Sequence, residues 1–508
     1  MFVALLLFLH SQVFASEFRV RLVADPQTLD WTLATSTMES LVLMNIMEGL
    51  FEFTPDMKVR PALVSSYSIS KDNKTYVFKL KAGVKWSDGK NLEAQDFAYS
   101  WKRLLDPLTG AAYAYFLFPI VGAEDYHTGQ IKDFSKVGIK ALDTNTLEVK
   151  IKNPVPYFLQ LLTFWITYPL RKDIVEVHGT QWTKPENIVV LGPFIPTKNQ
   201  PQSEIILKRN DKYYGKRPQL EIIKMAIINE DATALNLFKT KKLDFTMPIN
   251  FLEAGDLVKT PAYHVAHYFR TSYLGFNTSR YPLNLPKVRQ AVAMAIDKSK
   301  IGEVMYEEKE SARSLLPTEL FPEGRNIGLA FDPNKAKKLI EEVGLDPKTI
   351  PKLDLVGFAS DQNALLTQYL QDQLKKHLGF EIEIRLPEFK TYRTHLDLRN
   401  GGLFYMSWGA DYADPDTFFG VFLSDSGNNR MQWKNPSYDA LVKKAAITTE
   451  HAQRIKLYRQ ALEILLIQDV AVVPLHYNSI MYLLNPRFQN FVINPLKYVY
   501  FRDIVVGP

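Results

Sequence analysis

The sequence contains no cysteine among its 508 residues. Disulfides, thiolate metal sites and cysteine nucleophiles are therefore excluded, and so is a lipid anchor attached to an N-terminal cysteine. No two of the 9 histidines are four positions apart, the spacing at which a helix commonly presents two metal ligands, so we expect no metal site.

Sequence motifs of the common enzyme classes are absent as well. The chain has no His-Glu-x-x-His, no Gly-x-Ser-x-Gly and no Gly-x-Gly-x-x-Gly. The segment from Gly83 to Asn91 is similar to a phosphate loop, but Asn91 stands where Ser or Thr would bind magnesium. We therefore expect no enzyme and no cofactor. An extracytoplasmic hydrolase, whose groups converge only in the folded chain, remains the alternative of a different class.

No region concentrates charge of one sign. The 61 Lys and Arg residues and the 55 Asp and Glu residues give a net charge of +6 and are scattered along the chain. Proteins that bind nucleic acid carry a basic patch or run, so no nucleic-acid partner is expected. After residue 15 the chain has no apolar stretch of about 20 residues, and we expect no membrane-embedded part.

The N-terminal 15 residues form an apolar run that is too short to span a membrane. Val13 and Ala15 place small residues at the third and last positions before Ser16, as signal-peptidase cleavage requires. Residues 1–15 are therefore predicted to be a signal peptide, and a buried N-terminal strand or helix is the alternative. With no cysteine for lipid attachment, the expected location is the periplasm.

Hydrophobic periodicity alternates between strand and helix patterns. Residues 75–81 place Tyr76, Phe78 and Leu80 on one face at a period of two, as in a strand. The helical period follows directly at residues 93–105. The alternation predicts an α/β fold, and the length calls for two or three lobes. Further helices are predicted at 287–296, 334–343, 364–378 and 452–467.

The order of short motifs along the chain resembles the family 5 solute-binding proteins of ABC importers, the peptide- and oligopeptide-binding group. Each motif alone is common, but the ordered set extends over nearly the whole chain after residue 18. The motifs include Asp25-Pro-Gln-Thr-Leu-Asp30, Glu48-Gly-Leu50, Val84-Lys-Trp-Ser-Asp-Gly89, Tyr99-Ser-Trp-Lys-Arg103, Leu191-Gly-Pro-Phe194, Leu274-Gly-Phe-Asn277, Trp408-Gly-Ala-Asp-Tyr412 and Val473-Pro-Leu475.

The resemblance implies a periplasmic-binding-protein-like α/β fold, in which two large lobes are joined by a two-segment hinge and a further domain is inserted. Lobe I is then discontinuous and comprises residues 16–48, 173–269 and 480–508. The inserted domain II comprises residues 49–172, and lobe III comprises residues 270–479.

The function implied by the resemblance is that of an extracytoplasmic receptor. It captures a short peptide between the lobes by hinge closure and delivers it to the permease of an ABC transporter. We expect a monomer. The alternatives are the same receptor with other cargo, such as an oligosaccharide, a metal chelate or a cell-wall peptide, and a chaperone or signalling module that uses the same cleft.

The ligand-binding residues are expected around the motif Trp408-Gly-Ala-Asp-Tyr412. Asp411 matches the family position that pairs with the peptide amine, although from spacing alone it is equally a turn or cap residue. Asp414, which precedes Pro415, competes with it for the turn or cap role. Trp408, Gly409 and Ala410 are expected along the peptide backbone, and a core role for Trp408 is the alternative. Tyr113 matches a ligand-contacting tyrosine and is otherwise a core residue near the domain join.

Three positions depart from the family pattern. Some relatives hold the peptide carboxylate with a basic residue six positions before the amine-binding aspartate, where this chain has Tyr405. A second basic anchor is replaced by Asn363, and a glutamate after the first motif is replaced by Thr35. A carboxylate enclosed without a cation is poorly bound, so we expect a different carboxylate partner, a different ligand length or a different ligand.

Overall fold

The computed structural model describes residues 16–249, 251–305, 310–398 and 401–507. The predicted signal peptide, residues 1–15, lies outside the described residues. Strands and helices alternate as the periodicity predicts, which confirms the α/β class. The strands are β1 Glu17–Leu22, β2 Phe51–Phe53, β3 Val59–Pro61, β4 Val64–Ile69, β5 Thr75–Leu80, β6 Ile139–Asp143, β7 Thr146–Lys150, β8 Phe194–Gln200, β9 Glu204–Arg209, β10 Ile222–Ile227, β11 Phe245–Thr246, β12 Tyr263–Phe276, β13 Leu353–Val356, β14 Ile382–Arg385, β15 Leu403–Gly409, β16 Val472–Leu484, β17 Phe488–Gln489 and β18 Val505–Val506.

The predicted helices are present, with ends within a few residues of those expected from sequence. Helix α2 begins after Glu93, whose side chain and that of Asp96 cap its first turn, and it ends at Asp106 before a proline. The helices are α1 Thr37–Ile46, α2 Ala94–Leu105, α3 Ala123–His127, α4 Phe158–Leu161, α5 Lys172–His178, α6 Asp231–Lys239, α7 Phe251–Ala254, α8 Pro286–Ala295, α9 Ile301–Val304, α10 Pro333–Glu342, α11 Asp361–Leu378, α12 Phe389–Asp397, α13 Asp416–Phe419, α14 Pro436–Ala446 and α15 His451–Glu463.

The largest sheet of the described chain has ten strands in the order β14-β13-β15-β12-β16-β11-β1-β10-β9-β8. Its two longest strands, β12 and β16, pair antiparallel along most of their length, with a register shift between His267 and Thr271. Both strands run through the predicted lobe crossings at 269/270 and 479/480. The domain boundaries themselves stay a prediction.

Two regions of core cover the two faces of the β12–β15 part of the sheet. Side chains alternate between the faces because strand residues point to opposite sides. Tyr273 and Phe404 contribute to one region, and Leu274 and Leu403 contribute to the other. A third and larger region contains residues of β1, α1 and α2 together with the last segment of the chain.

Residues 49–172, the predicted domain II, contain a separate four-stranded sheet in the order β4-β5-β7-β6. Two ion pairs cross the predicted boundary with lobe I: Arg103 contacts Asp30 at 2.6 Å, and Arg502 contacts Glu52. Arg502 also contacts Glu48, within lobe I, at 2.6 Å. Burial raises the pKa of the Glu48 carboxyl, and the Arg502 charge opposes that shift. Several motif residues of the family pattern therefore serve to hold the architecture together.

Candidate functional site

Strand β15 has an open edge at its C-terminal half. It pairs with β12 from Leu403 to Gly409, whereas β13 pairs only with Leu403 and Phe404. The Ala410 N–H donates to the Phe269 carbonyl at 2.7 Å, so these two residues form a hydrogen-bonded pair of the antiparallel ladder. Because that pairing alternates, the main-chain groups of Ser407 and Gly409 point away from β12. Within the described chain, this edge is available to an added strand.

Asp411 follows this strand directly. Its N–H donates to Thr417 Oγ1 at 3.1 Å, and its carboxylate has no hydrogen bond or ion pair with any described residue. The residue is half-buried, and burial raises the pKa of its carboxyl group to about 7. A charge without a partner in such a place is costly, so this carboxylate is suited to pair with an incoming cation.

Three tyrosines lie near enough to Asp411 for its negative charge to raise their pKa values, and together with Asp411 they are called the Asp411 pocket: Tyr113, Tyr115 and Tyr498. Burial raises the pKa of Tyr113 to about 12, and the negative charge of Asp411 adds to the shift. Burial and the same charge also raise the pKa values of Tyr115 and Tyr498. Tyr113 is thus within range of the charge of Asp411, although the two residues are almost 300 positions apart in sequence.

Aromatic rings from domain II and lobe III meet beside the Asp411 pocket. Tyr412 stacks on Tyr157, with ring centroids 4.9 Å apart and an interplanar angle of 14°. Tyr113 packs edge-on against Phe164 and Trp165, at centroid distances of 5.3 and 6.3 Å. The residues on either side of the Asp411 pocket are therefore held by aromatic packing, and burial is the cause of the raised pKa of Asp411.

Asp414, three residues after Asp411, is fully paired. Arg454 donates to its two carboxylate oxygens at 2.6 and 2.8 Å, and the Asp416 N–H donates to it at 2.9 Å. Both side chains are buried, with 9% and 8% of their surfaces exposed. Asp414 therefore has the turn role expected from its place before Pro415, and Asp411 is left to act elsewhere.

A cavity of about 660 Å³ is lined by residues of β12, β15 and β16 together with other elements, and we call it the cation cavity. It contains two of the predicted site residues, Tyr405 and Asn363. It is lined by Asp231, Met247, Pro248, Ile249, Tyr268, Arg270, Ser272, Met305, Phe358, Ser360, Gln362, Asn363, Phe389, Tyr392, Arg393, Tyr405, Met406, Ser407, Asn478, Ser479, Ile480, Met481 and Lys497.

Tyr405 and Asn363 are held by polar contacts within lobe III. The Tyr405 hydroxyl donates to Ser272 Oγ at 3.1 Å and lies 3.3 Å from His476 Nε2. The Asn363 amide donates to the Phe358 carbonyl at 2.8 Å. Both positions are uncharged, so neither supplies the cation that the family pattern would place here.

Of the remaining predicted site residues, Trp408 and Gly409 lie on β15 just before Asp411, and Thr35 lies apart from them, before α1. Trp408 is half-buried against the lobe III core, and its indole N–H donates to the Thr417 carbonyl at 2.9 Å. Gly409 faces the side chains of Tyr268 and Arg270, which lie close to where a β-carbon would be. Thr35 is exposed before α1, and its N–H donates to the Glu39 carboxylate at 2.8 Å.

Two cationic residues of the cavity, Arg270 and Lys497, were not among the site residues predicted from the sequence. Arg270 directly follows the predicted lobe crossing at 269/270, a position that could have drawn attention. Lys497 lies in the last segment of the chain, and no motif marks it. Only the folded chain brings the two together.

Two other properties were tested over the described ranges. No helix there is both long enough and apolar enough to cross a membrane. No group of three or more His, Asp or Glu side chains within those ranges is arranged to hold a metal ion.

Comparison with known proteins gives long and consistent matches. A relative from Escherichia coli (strain K12), the "Probable deoxycholate-binding periplasmic protein YgiS", is 29% identical over 505 residues, covering 96% of this chain and 93% of that protein. The "Periplasmic oligopeptide-binding protein OppA" of Salmonella typhimurium is 31% identical, covering 95% and 91%. A solved structure of a periplasmic oligopeptide-binding protein (OppAIV) from Borrelia burgdorferi superposes with a TM-score of 0.82 at 29% identity, covering 97% and 100%.

The structural match confirms the periplasmic-binding-protein type of fold. Residues 58–430 match the family described as "Bacterial extracellular solute-binding proteins, family 5 Middle", which is well over half of the chain. The motif order, the fold and this match agree, and the chain belongs to the bacterial extracellular solute-binding proteins of family 5.

Proposed function

We propose that this protein is a receptor outside the cytoplasmic membrane that binds short peptides and delivers them to an ABC permease. The observation that carries the proposal is the carboxylate of Asp411, which is shielded from water and has no partner among the described residues. Linear peptides with a free N-terminus carry an ammonium group there, and this cation would form an ion pair with the Asp411 carboxylate.

The open edge of β15 supplies the second requirement of a peptide receptor. An extended peptide can add to a strand edge, where main-chain hydrogen bonds provide affinity independently of the peptide sequence. Ser407 and Gly409 present such groups immediately before Asp411. A peptide whose amine pairs with Asp411 can therefore continue along the same edge.

Binding and release would follow from the predicted domain division. In that division Tyr113 and Tyr115 belong to domain II, and Asp411 belongs to lobe III. A ligand that contacts both sides favours the closed arrangement by the difference in its affinity for the two states. Relatives named as oligopeptide-binding proteins are consistent with this use of the fold.

The test is calorimetric titration with trialanine and with N-acetyl-trialanine. We expect the purified chain to bind trialanine and to bind the acetylated peptide at least about tenfold more weakly, since a charge-assisted bond contributes about 1.5–3 kcal/mol. Asp411→Asn should lower trialanine affinity by a similar factor. Asp372→Asn, on the exposed face of α11, is the matched control and should bind as the parent does.

Equal affinity of Asp411→Asn and the parent for trialanine would overturn this assignment. Recovery of intact trialanine after prolonged incubation is expected for a receptor, whereas free alanine would identify a hydrolase. The proposed periplasmic form, a monomer that begins at Ser16, is tested by cell fractionation, intact mass and size-exclusion chromatography.

A second candidate is the same receptor with an anionic, non-peptide cargo. The cationic lining of the 660 Å³ cavity favours it, and one relative is named a probable deoxycholate-binding protein. Deoxycholate has a carboxylate and no amine, so its binding would be insensitive to Asp411→Asn. Titration of deoxycholate against the parent and this variant separates the two candidates.

A further inference from the structure

The lining of the cation cavity carries more positive than negative charge. Its residues include three cationic side chains, Arg270, Arg393 and Lys497, and one carboxylate, Asp231. The carboxylate is already occupied, because Arg21 contacts it at 2.6 Å from outside the lining. Within the described residues, the three cations thus face the cavity without a counter-charge.

Lys497 is held in place by a tight turn. Its N–H donates to the Asn494 carbonyl at 2.7 Å, and its own backbone is left-handed, with φ at 67°. The Phe269 N–H donates to the Pro495 carbonyl at 2.8 Å and so ties the turn to β12. The ammonium group therefore projects from a fixed backbone, although it lies in the last segment of the chain.

The Lys497 ammonium has no hydrogen bond or ion pair with a described residue. Burial lowers the pKa of Lys497 to about 8, and the nearby charge of Arg270 adds to the shift. Two cations in a half-buried site repel each other, and an anion between them would remove that repulsion.

Arg270 is oriented but not neutralised. Its guanidinium donates to Ser407 Oγ at 2.9 and 2.5 Å, which fixes the side chain above Gly409. No carboxylate of the described chain pairs with it. Arg393, on α12, adds a third cation that is exposed and makes no ion pair with described residues.

We propose that Arg270 and Lys497, assisted by Arg393, form the subsite that binds a carboxylate of the ligand. The subsite supplies from other elements the cation that Tyr405 and Asn363 lack. This inference rests on the proposed peptide function, because it assigns the second charged end of the same ligand. Arg270, on β12, pairs with Gly409, two residues before Asp411, so one short peptide with a free carboxylate can reach both groups.

Two kinds of carboxylate have this chemistry, the C-terminus of the peptide and an acidic side chain near it. Titration with trialanine, trialanine amide and Ala-Ala-Glu amide distinguishes them. We expect the parent to prefer trialanine over its amide by at least tenfold. If the subsite also accepts side chains, Ala-Ala-Glu amide recovers most of that preference; if it is specific for the C-terminus, it does not.

Lys497→Gln should lower the affinity for trialanine about tenfold and change that for trialanine amide by less than twofold. Lys497→Arg keeps the charge and should keep the preference, which separates charge from folding. Lys456→Gln, on the exposed face of α15, is the matched control. Arg393→Gln is a second variant at an exposed position, with a smaller loss expected.

An unchanged ratio of trialanine to amide affinity in both Lys497→Gln and Arg393→Gln would overturn the subsite. In that case trialanine binding that still depends on Asp411 would leave the receptor proposal intact. A parent that binds none of the three peptides would instead contradict the proposed function, and the carboxylate subsite with it.

Discussion

The Asp411 pocket and the Asp414–Arg454 ion pair each contain an aspartate. The two aspartates are three residues apart, but their surroundings are opposite in kind. Asp414 is surrounded by donors, with Arg454 at 2.6 Å. Asp411 is surrounded by tyrosines and has a pKa of about 7. One carboxylate stabilises the fold, and the other is kept ready for a ligand at a cost to the fold. The presence or absence of a pairing cation within the protein therefore distinguishes the structural aspartate from the functional one.

The strongest effect is expected from removing the partner of Asp414. Arg454→Met leaves a buried carboxylate without a cation and should lower the free energy of unfolding by about 3–5 kcal/mol. Lys456→Met, an exposed position on the same helix, should change it by less than about 0.5 kcal/mol. Urea denaturation followed by fluorescence measures both, and equal stabilities would show that the ion pair is not needed.

Removing the charge of Asp411 should instead raise the free energy of unfolding. A carboxyl pKa of about 7 in the folded state, against about 3.9 when unfolded, makes the fold lose stability as the pH rises from about 4 to about 7. Asp411→Asn lacks this loss and should be more stable than the parent at pH 7.5 by roughly 1–3 kcal/mol. Melting temperatures at pH 4 and pH 7.5 measure the difference, which should nearly vanish at the lower pH.

The pH dependence of peptide affinity gives a third comparison. Only the ionised Asp411 pairs with an ammonium, so affinity for trialanine should rise about five- to tenfold between pH 6 and pH 7.5. The tyrosines that face Asp411 have raised pKa values and stay neutral in this range. Asp411→Asn should bind weakly with little pH dependence. A flat profile in the parent would contradict the assignment.

The smallest effect is expected at Trp408. Trp408→Phe removes the bond to the Thr417 carbonyl and should cost about 0.5–1.5 kcal/mol of stability, with less than a twofold change in trialanine affinity. Trp101→Phe breaks a comparable bond to the Thr167 carbonyl in domain II and is the matched control. A large loss of affinity in Trp408→Phe alone would return Trp408 to the ligand site.

Local features of the fold could be predicted from sequence because they depend on near neighbours. The helix 94–105 follows from its periodicity and its capping residues, and the strand at residues 75–80 follows from its alternation. The sequence also favoured separate roles for Asp411 and Asp414, because Asp414 precedes a proline and suits a turn. Pairs of residues distant in sequence could not be predicted. Arg454 lies 40 residues after Asp414, and no feature of either segment indicates that the two residues pair.

The site was only partly predictable for the same reason. The family resemblance indicated Asp411 and Tyr113, and in the structure the charge of Asp411 contributes to the raised pKa of Tyr113. The resemblance also indicated Tyr405 and Asn363, which line a different cavity. The cations of that cavity come from β12, α12 and the C-terminal turn, so their convergence is a property of the assembled lobes.

The sequence by itself determined the α/β class, the family and the carboxylate at position 411, because these depend on periodicity and on motifs a few residues long. The tertiary structure alone decided which charges remain without a partner. Asp414 is neutralised by a distant arginine and Asp411 is not, while Arg270 and Lys497 meet across more than 200 residues of chain. A charge becomes a binding group only when folding buries it without a counter-charge, and that depends on every element packed around it.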